Sequence, residues 1–518
     1  MEKVYQNIPK EKFVFAQLGE KMHDEKLQTK SRGYFADAFL RFRKNKSSVI
    51  AACIIALLVL FAIVSPIVSI YDINDKEPLY KNYAPFIEGI AEWNLGIWDG
   101  GTVYTSVNEN QMLRFEAIQI ETGRNPVLKV MGTETVLEPG RGMGNFIEKN
   151  YYTLRVNKYY EKGIVIRTMS VEEFQKIQEF QNETGVQVIY PWVNAPTGKA
   201  FNDYKVTDNP NVWYEISDAK GTPKLKDGQL VPAYSTDTSI EKTGAEYNSQ
   251  RISSDPGTYA YSKKTSGAVQ CRVDLYNYYE YSNGYPPTYI FGTNALGQDV
   301  FTAIGVGARF SLAFAVIVSA INLTIGAIYG AIQGYYGGYV DLIMDRISDI
   351  LSGVPSIVTV TLFQLHFAQK VGPIVSFLFA FVLTGWIGMA ALTRKQFYRF
   401  KGQEYIMAAK TLGASDWRLM FKHIFPNSLG TIVTSCVLVI PGVISSETTL
   451  TYLGIVNLSQ FSGTSIGVLM QQGQTAMTTS PHAMFFPALF ISLLLISFNL
   501  FGNGLRDAFN PSMRGVED

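Results

Sequence analysis

The chain has 518 residues, 47% hydrophobic and 17% charged, with 45 Lys plus Arg against 44 Asp plus Glu. A net charge of +1 leaves no electrostatic footprint for nucleic acid. The average conceals two regimes: long apolar stretches in 48–70 and 309–504, and a polar, tyrosine-rich 71–290, which exclude both a simple soluble enzyme and a chain embedded in lipid throughout.

The N-terminal tail, 1–47, ends in the basic run Arg41-Phe-Arg43-Lys44-Asn-Lys46. Ser48–Ile70 follows with no charge between its ends and is long enough to span a bilayer, which takes about 20 apolar residues. It starts too late, and runs too long, for a cleavable signal peptide. Residues 71–290 read as an inserted domain of α+β or mainly-β class, large enough for its own core. Tyr151–Val156 and Ile164–Arg167 read as strands joined by a turn containing Glu161-Lys-Gly163. Ser170-Val-Glu-Glu173 is a capping-box pattern opening a helix through about Phe180, stopped by Gly185. Val186–Tyr190 reads as strand, and so does the β-prone Cys271–Tyr281, with the run Tyr276–Tyr281 half-buried. Gly140, Gly142 and Gly144 follow Pro139 without a helix signal and read as loop, not as a nucleotide site.

Residues 291–505 hold five more candidate spans: Arg309–Gln333, Ile347–His366, Val371–Thr393, Leu429–Leu450 and Met484–Gly504. Lys and Arg orient them. The segment before the fifth span carries Arg394, Lys395, Arg399, Lys401, Lys410, Arg418 and Lys422, whereas Thr451–Ala483 carries none. The tail and 394–428 are therefore expected in the cytoplasm, with 71–308 and 451–483 outside. The 506–518 tail, with Arg506 and Arg514, returns to the cytoplasm of a multi-pass plasma-membrane protein.

Catalytic signatures are missing: no Gly-x-x-x-x-Gly-Lys-Ser/Thr, no His-Glu-x-x-His, no Cys-x-x-Cys and no Gly-x-Ser-x-Gly. His23, His366, His423 and His482 scatter across compartments, so no shared metal site is expected. The chain reads as non-catalytic.

Loop 400–426 is the most informative segment. It reads as two short helices, the first about Gln403–Leu412, with small Ala408 and Ala409 beside Leu412. Gly413 permits a sharp turn, Ser415 is placed to cap the second helix with Asp416 in its first turn, and Pro426 marks a break before the fifth span. Small side chains let another protein approach closely; the plain alternative is a connection covering helix ends.

Ala408-Ala409-x3-Gly413-x12-Pro426 resembles the cytoplasmic "EAA" coupling loop of ABC-importer permeases. The wider match is to the C-type permease subunit of the oligopeptide/dipeptide (nickel) importers. Phe291–Val300, Gly307–Leu312, Gly334–Asp341, Asp345-Arg346-Ile-Ser-Asp349 with Pro355, Glu447–Gly454 and Gly502–Pro511 occur in that family's order. The resemblance implies a type I importer permease: an all-α membrane domain of six transmembrane helices, here carrying the inserted domain outside the cell. It implies that Glu404, Tyr405, Ala408, Ala409, Leu412, Gly413, Ala414, Ser415, Trp417, His423 and Pro426 couple to an ATPase. The implied partners are a second permease, two ATP-binding subunits that carry ATP and Mg, an extracellular lipid-anchored substrate-binding protein, membrane lipid and a peptide substrate. No cofactor belongs to this chain itself. A nickel or metal-complex cargo is the alternative substrate, and a receptor built on a permease base is the alternative class. Met407 stands where the family has a glutamate, and Asn294, Gln298, Asn503 and Asn510 replace usual charged residues, removing ion pairs there. The insert lies outside the resemblance; its place between the first two spans suits docking of the binding protein or capping of the outer mouth, with a tolerated decoration as the plain reading.

Among single residues, Asp341, Asp345 and Asp349 share a helix face at i, i+4, i+8, with Arg346 beside them. They read as a salt-bridge cluster at the membrane surface or as a contact with the ATPase or partner permease. Glu447 sits at membrane depth, where an unpaired acid costs roughly 2.5–3.5 kcal/mol, so it is expected to face a protein interface or the pathway. Asn322 and Gln333 invite the same argument, and Gly337-Gly338 reads as a tight turn.

Overall fold

The computed structural model describes residues 34–91, 93, 96–139, 146–193, 209–217, 221–235, 259–265, 267–458 and 464–509. The Gly140–Gly144 run, His23, Asn510 and Arg514 lie outside them. The chain enters through α1 (Tyr34–Lys44) and α2 (Lys46–Val68). Asn45 between them caps α2, its side chain accepting from the Ser48 amide at 3.4 Å.

The polar segment is α+β. β1 (Gly101–Asn108) leads through a full capping box, Asn108 with Gln111, into α3 (Glu109–Thr122). β2 (Val127–Pro139) and β3 (Phe146–Asn157) complete an antiparallel sheet of order β1-β3-β2. β4 (Ile164–Met169), α4 (Val171–Thr184), β5 (Ile189–Tyr190), the small hairpin β6 (Leu225–Lys226) with β7 (Gln229–Leu230), β8 (Ser262–Thr265), β9 (Ala268–Asp274) and α5 (Leu275–Asn283) follow. β9 is central in the second sheet and pairs with β4, β5 and β8. The hairpin expected between 151 and 167 does not form, because β3 and β4 belong to different sheets. Asn157 caps a helical turn, Lys158–Glu161, that redirects the chain between them. The strand expected over Cys271–Tyr281 ends at Asp274 and becomes α5. Asp274 caps the Tyr276 amide at 3.2 Å, and Gly284 closes the helix in the left-handed region. Tyr276 and Tyr279 then share its buried face at helical spacing, so their β propensity yields to two end signals.

Tyrosines also form the joint with the bundle. Tyr71 stacks on Tyr289 at 4.5 Å between centroids, and Phe86 on Tyr159 at 4.4 Å. The Asn82 amide donates to the Asn294 carbonyl at 3.0 Å. Asn294 and Gln298 compensate for the absent charges by pairing as amides, Asn294 Nδ2 donating to Gln298 Oε1 at 2.9 Å.

α6 (Val300–Tyr336) opens the bundle. The sequence alone predicts a span from Arg309, but Asp299 caps the helix ahead of it, accepting from the Thr302 amide at 2.9 Å. Arg309 thus lies inside α6, where it has structural work. Pro66 in α2 has no N–H, so the Ala62 carbonyl loses its helical donor. Arg309 Nε donates to that carbonyl at 2.7 Å, and its guanidinium also reaches the Ile63 carbonyl. α7 (Gly338–Ser352) and α8 (Ser356–His366) replace the straight third span with two helices bent by 72° around Pro355. α9 (Pro373–Lys401) packs closely on α6 through Gly326, Gly330 and Gly334. A Cβ at Gly330 would lie 2.2 Å from the Ala390 carbonyl oxygen, so the i, i+4, i+8 glycines set the approach of the two helices. α10 (Glu404–Thr411), α11 (Asp416–Tyr452), α12 (Ile466–Thr475) and α13 (His482–Phe509) complete the chain. α12 buries Ile466, Val468 and Leu469 in the bundle core, although the sequence reads its segment as an outside connection. Pro426 does not break α11. A π-helical turn over Leu419–Ile424 widens the helix just before it and absorbs the proline. Among the described residues five helices are long and apolar enough to cross a membrane, or six if the bent pair α7–α8 counts as one span.

Candidate functional site

The basic ends of α9 and α11 meet the C-terminal end of α6 in a small core. Ala331, Phe397, Leu419, Met420 and Ile424 form it, and α10 plugs into it through Ile406, which is 3% exposed. α10 closes with the two bonds of a Schellman cap: the Gly413 amide donates to the Lys410 carbonyl at 3.0 Å and the Ala414 amide to the Ala409 carbonyl at 3.1 Å. Gly413 has φ +84°, and a Cβ there would meet nothing within 4 Å, so its requirement is conformational. Ala409 and Ala414 turn inward against the core and supply the cap's apolar contact. Of the expected alanine pair only Ala408 faces outward. Ser415 occupies the cap position of α11 without a side-chain cap bond. Asp416 anchors that end instead, accepting from the Tyr335 hydroxyl at 2.6 Å. Lys401 adds a cation at the end of α6, donating to the Gly334 carbonyl at 3.1 Å.

The outer surface of this hairpin is apolar. Leu412 is 89% exposed and Trp417 67%, with Tyr405 and Met407 also exposed. Trp417 is held by the Phe421 ring at 4.1 Å. Glu404, Lys410 and Arg418 surround the patch. His423 is half-buried; its carbonyl accepts from Asn427 Nδ2 at 2.8 Å, and that amide also reaches the Tyr405 hydroxyl at 3.2 Å. Pro426 is exposed beside them. An apolar centre with Trp, Tyr and Met inside a charged rim has the composition of a protein-binding surface. The family's glutamate position, Met407, adds to the apolar centre rather than to the rim.

Arg394 braces this platform. It binds Asp341 at 2.6 Å and Asp345 at 3.1 Å, and Tyr398 also donates to Asp341. Gln333 reaches Asp345 at 3.3 Å. Arg346 takes only Asp349, at 2.8 Å on the surface. Sequence spacing alone groups the aspartates with Arg346 and misses Arg394, because the partner lies on another helix.

Glu447 is fully buried within the chain. Ser311 donates to it at 2.8 Å, and the Thr448 and Thr451 hydroxyls lie at 3.4 Å. Hydroxyls from α6, from α11 and from Ser465 ahead of α12 thus surround it inside this subunit. Asn322 is also buried, packed against Gly385. Among the described residues, no group of three His, Cys, Asp or Glu is placed to hold a metal.

A bundle of long apolar helices with an exposed apolar hairpin at its basic end defines the class: a multi-pass membrane protein. Residues 322–515 match the family "Binding-protein-dependent transport system inner membrane component", and residues 33–85 match "N-terminal TM domain of oligopeptide transport permease C". Neither match enters 86–321. The oligopeptide transport system permease protein OppC of Bacillus subtilis is 40% identical over 224 residues, 43% of this chain and 72% of that protein. The dipeptide transport system permease protein DppC of the same organism is 40% identical over 225 residues, 43% and 69% of the two chains. A glutathione transport system permease protein of Escherichia coli is 32% identical over 245 residues, 47% and 79% of the two. A solved inward-facing MetNI methionine ABC transporter aligns at TM-score 0.32 and 14% identity, covering 39% of this chain and 94% of that one, too slight a likeness to argue from. The chain belongs to the family of C-type permease subunits of oligopeptide and dipeptide ABC importers, with the type I permease fold. It is a multi-pass membrane protein whose listed relatives are permease proteins of transport systems.

Proposed function

We propose that the chain is one of two transmembrane subunits that carry oligopeptides or dipeptides into the cell, driven by ATP hydrolysis on two separate subunits. The observation that carries the coupling is Leu412, 89% exposed at the tip of a hairpin whose base is locked by Ile406, the Schellman cap and the Tyr335–Asp416 bond. A load on Leu412 and Trp417 passes directly into α6, α9 and α11, because α10 shares their core. Movement of the ATPase pair then rocks these helices between outward-open and inward-open states. The basic end lies in the cytoplasm by the positive-inside rule, and the inserted domain lies outside. There it docks a lipid-anchored peptide-binding protein above the pathway, whose other half comes from a second permease. Peptide cargo rests on the relatives' names.

The test is ATP-dependent uptake of a labelled peptide by proteoliposomes holding the co-expressed complex. Leu412→Glu is expected to abolish uptake and to release the ATPase on purification, while the permease pair stays assembled. Uptake unchanged in Leu412→Glu would remove the hairpin from coupling. No uptake by the wild type across short and long peptides would remove the peptide reading.

A further inference from the structure

α1 does not continue into α2. Asn45 between them is extended, with φ −81° and ψ 99°, so the helical path breaks there. α1 packs back on α13 instead. Ala38 is fully buried, and the Phe42 ring meets Phe501 edge-on at 5.3 Å. The start of α2 is fastened at the same level. Ser48 Oγ donates to the Leu500 carbonyl at 3.4 Å, and a Cβ at Gly504 would lie 1.8 Å from that hydroxyl oxygen. α1 therefore sits beside residues 500–504 of α13 at the depth where α2 begins, the boundary of the apolar span.

The side of α1 turned away from α13 sets apolar residues beside basic ones. Phe39 is 66% exposed and Leu40 38%. Arg43 and Lys44 follow them at i+4 in the same two rows, both exposed, and the exposed Lys46 opens α2. None of these three cations has an ion-pair partner among the described residues. On α13 the exposed Arg506 and Asp507 lie 3.9 Å apart and offset each other, so the excess positive charge belongs to α1 and the start of α2. A bilayer boundary suits both halves of this face: the apolar side chains enter the acyl region while the long basic ones reach back to the headgroups.

We propose that this face of α1 docks on the bilayer surface and binds the phosphates of anionic phospholipids through Arg43, Lys44 and Lys46. The bound lipid then holds α1 and the start of α2 against the end of α13, through Phe42 and Ser48. The inference goes beyond the import reading and rests on it only for the leaflet, the cytoplasmic one, which carries the anionic lipid.

The test uses the full-length chain in lipid nanodiscs, with Cys53, Cys271 and Cys436 replaced and an apolar fluorophore attached at Phe39→Cys. Quenching by brominated phosphatidylglycerol is compared with quenching by brominated phosphatidylcholine. Phosphatidylglycerol is expected to be preferred about fivefold, and the preference to drop below about twofold in Arg43→Gln with Lys44→Gln. Arg41 and Lys46 stay in that variant, so the flank of α2 remains basic, and melting equal to wild type shows that it stays folded. Arg43→Lys should keep the preference. Quenching by neither lipid overturns the proposal, since α1 is then covered by the N-terminal tail or by another protein. Equal quenching by the two lipids in the wild type overturns it as well. Peptide uptake by the assembled transporter separates the two readings: uptake without quenching ends this inference alone, and selective quenching without uptake ends the import reading alone.

Discussion

In the inserted domain Arg272 and Glu121 form an ion pair with side chains only 2% and 1% exposed, and Arg272 also donates to the Pro191 and Pro210 carbonyls. In the bundle Glu447 is as deeply buried, yet among the described residues it meets hydroxyls, from Ser311, Thr448, Thr451 and Ser465, and no cation. The two regions bury an acid by different means. The domain matches charge with charge, so removing one partner strands the other. The bundle distributes one acid over several weak donors, so each can be lost cheaply. Stability should therefore be brittle in the insert and graded in the helices.

The sharpest break should come at Arg272. Arg272→Met leaves Glu121 buried and unpaired, and is expected to cost the insert about 3–5 kcal/mol, read as loss of hydrogen-exchange protection over β4 and β9 with the helices still protected. The double variant Arg272→Met with Glu121→Leu should recover most of it, since no charge is then stranded. The next effect is pH-dependent. Burial pushes Asp274 up to about 6, although Arg124 at 2.7 Å opposes the shift. Its folded pKa thus lies above the unfolded value of about 3.9. The contribution is fully present below pH 4 and is lost as pH rises through 6, so the insert should gain about 3 kcal/mol on acidification across that window. Asp274→Asn should flatten the profile, and a slope that survives this substitution would point to another group.

Smaller still, Ser311→Ala should cost about 1–2 kcal/mol in thermal unfolding of the bundle, because the hydroxyls of Thr448, Thr451 and Ser465 remain on Glu447. A loss as large as that at Arg272 would contradict the graded picture. Smallest of all, Leu412→Ala should change stability by less than about 0.5 kcal/mol, since the side chain touches solvent, while transport falls.

Much of the bundle was legible because lipid imposes length and apolarity, which a linear reading detects directly. The hairpin at 404–418 was legible through Gly413, although the structure turns Ala409 to the core and removes the break at Pro426. What escaped depends on distant partners. Arg394 reaches Asp341 across 53 positions, Ser311 reaches Glu447 across 136, and Arg309 repairs a carbonyl freed by Pro66 on another helix. No local pattern encodes such pairs. The insert was legible only in its capped pieces: Ser170 accepts from the Glu173 amide at 3.1 Å, as its motif predicts. Sheet membership was hidden, because β3 and β4 look alike as strands and differ only in their partners. Pro355 was legible as a turn into the third span, but not as a 72° bend between two helices.

The central claim is that Leu412 and Trp417 meet the ATPase while Ile406 holds the hairpin to the bundle. Site-directed crosslinking tests it most directly, in the assembled complex with Cys53, Cys271 and Cys436 replaced. Leu412→Cys and Trp417→Cys should crosslink to the ATP-binding subunit in a manner that changes with ATP, while Ile406→Cys should not react. Crosslinking absent at Leu412 and Trp417 in a complex that still transports peptide would contradict the account.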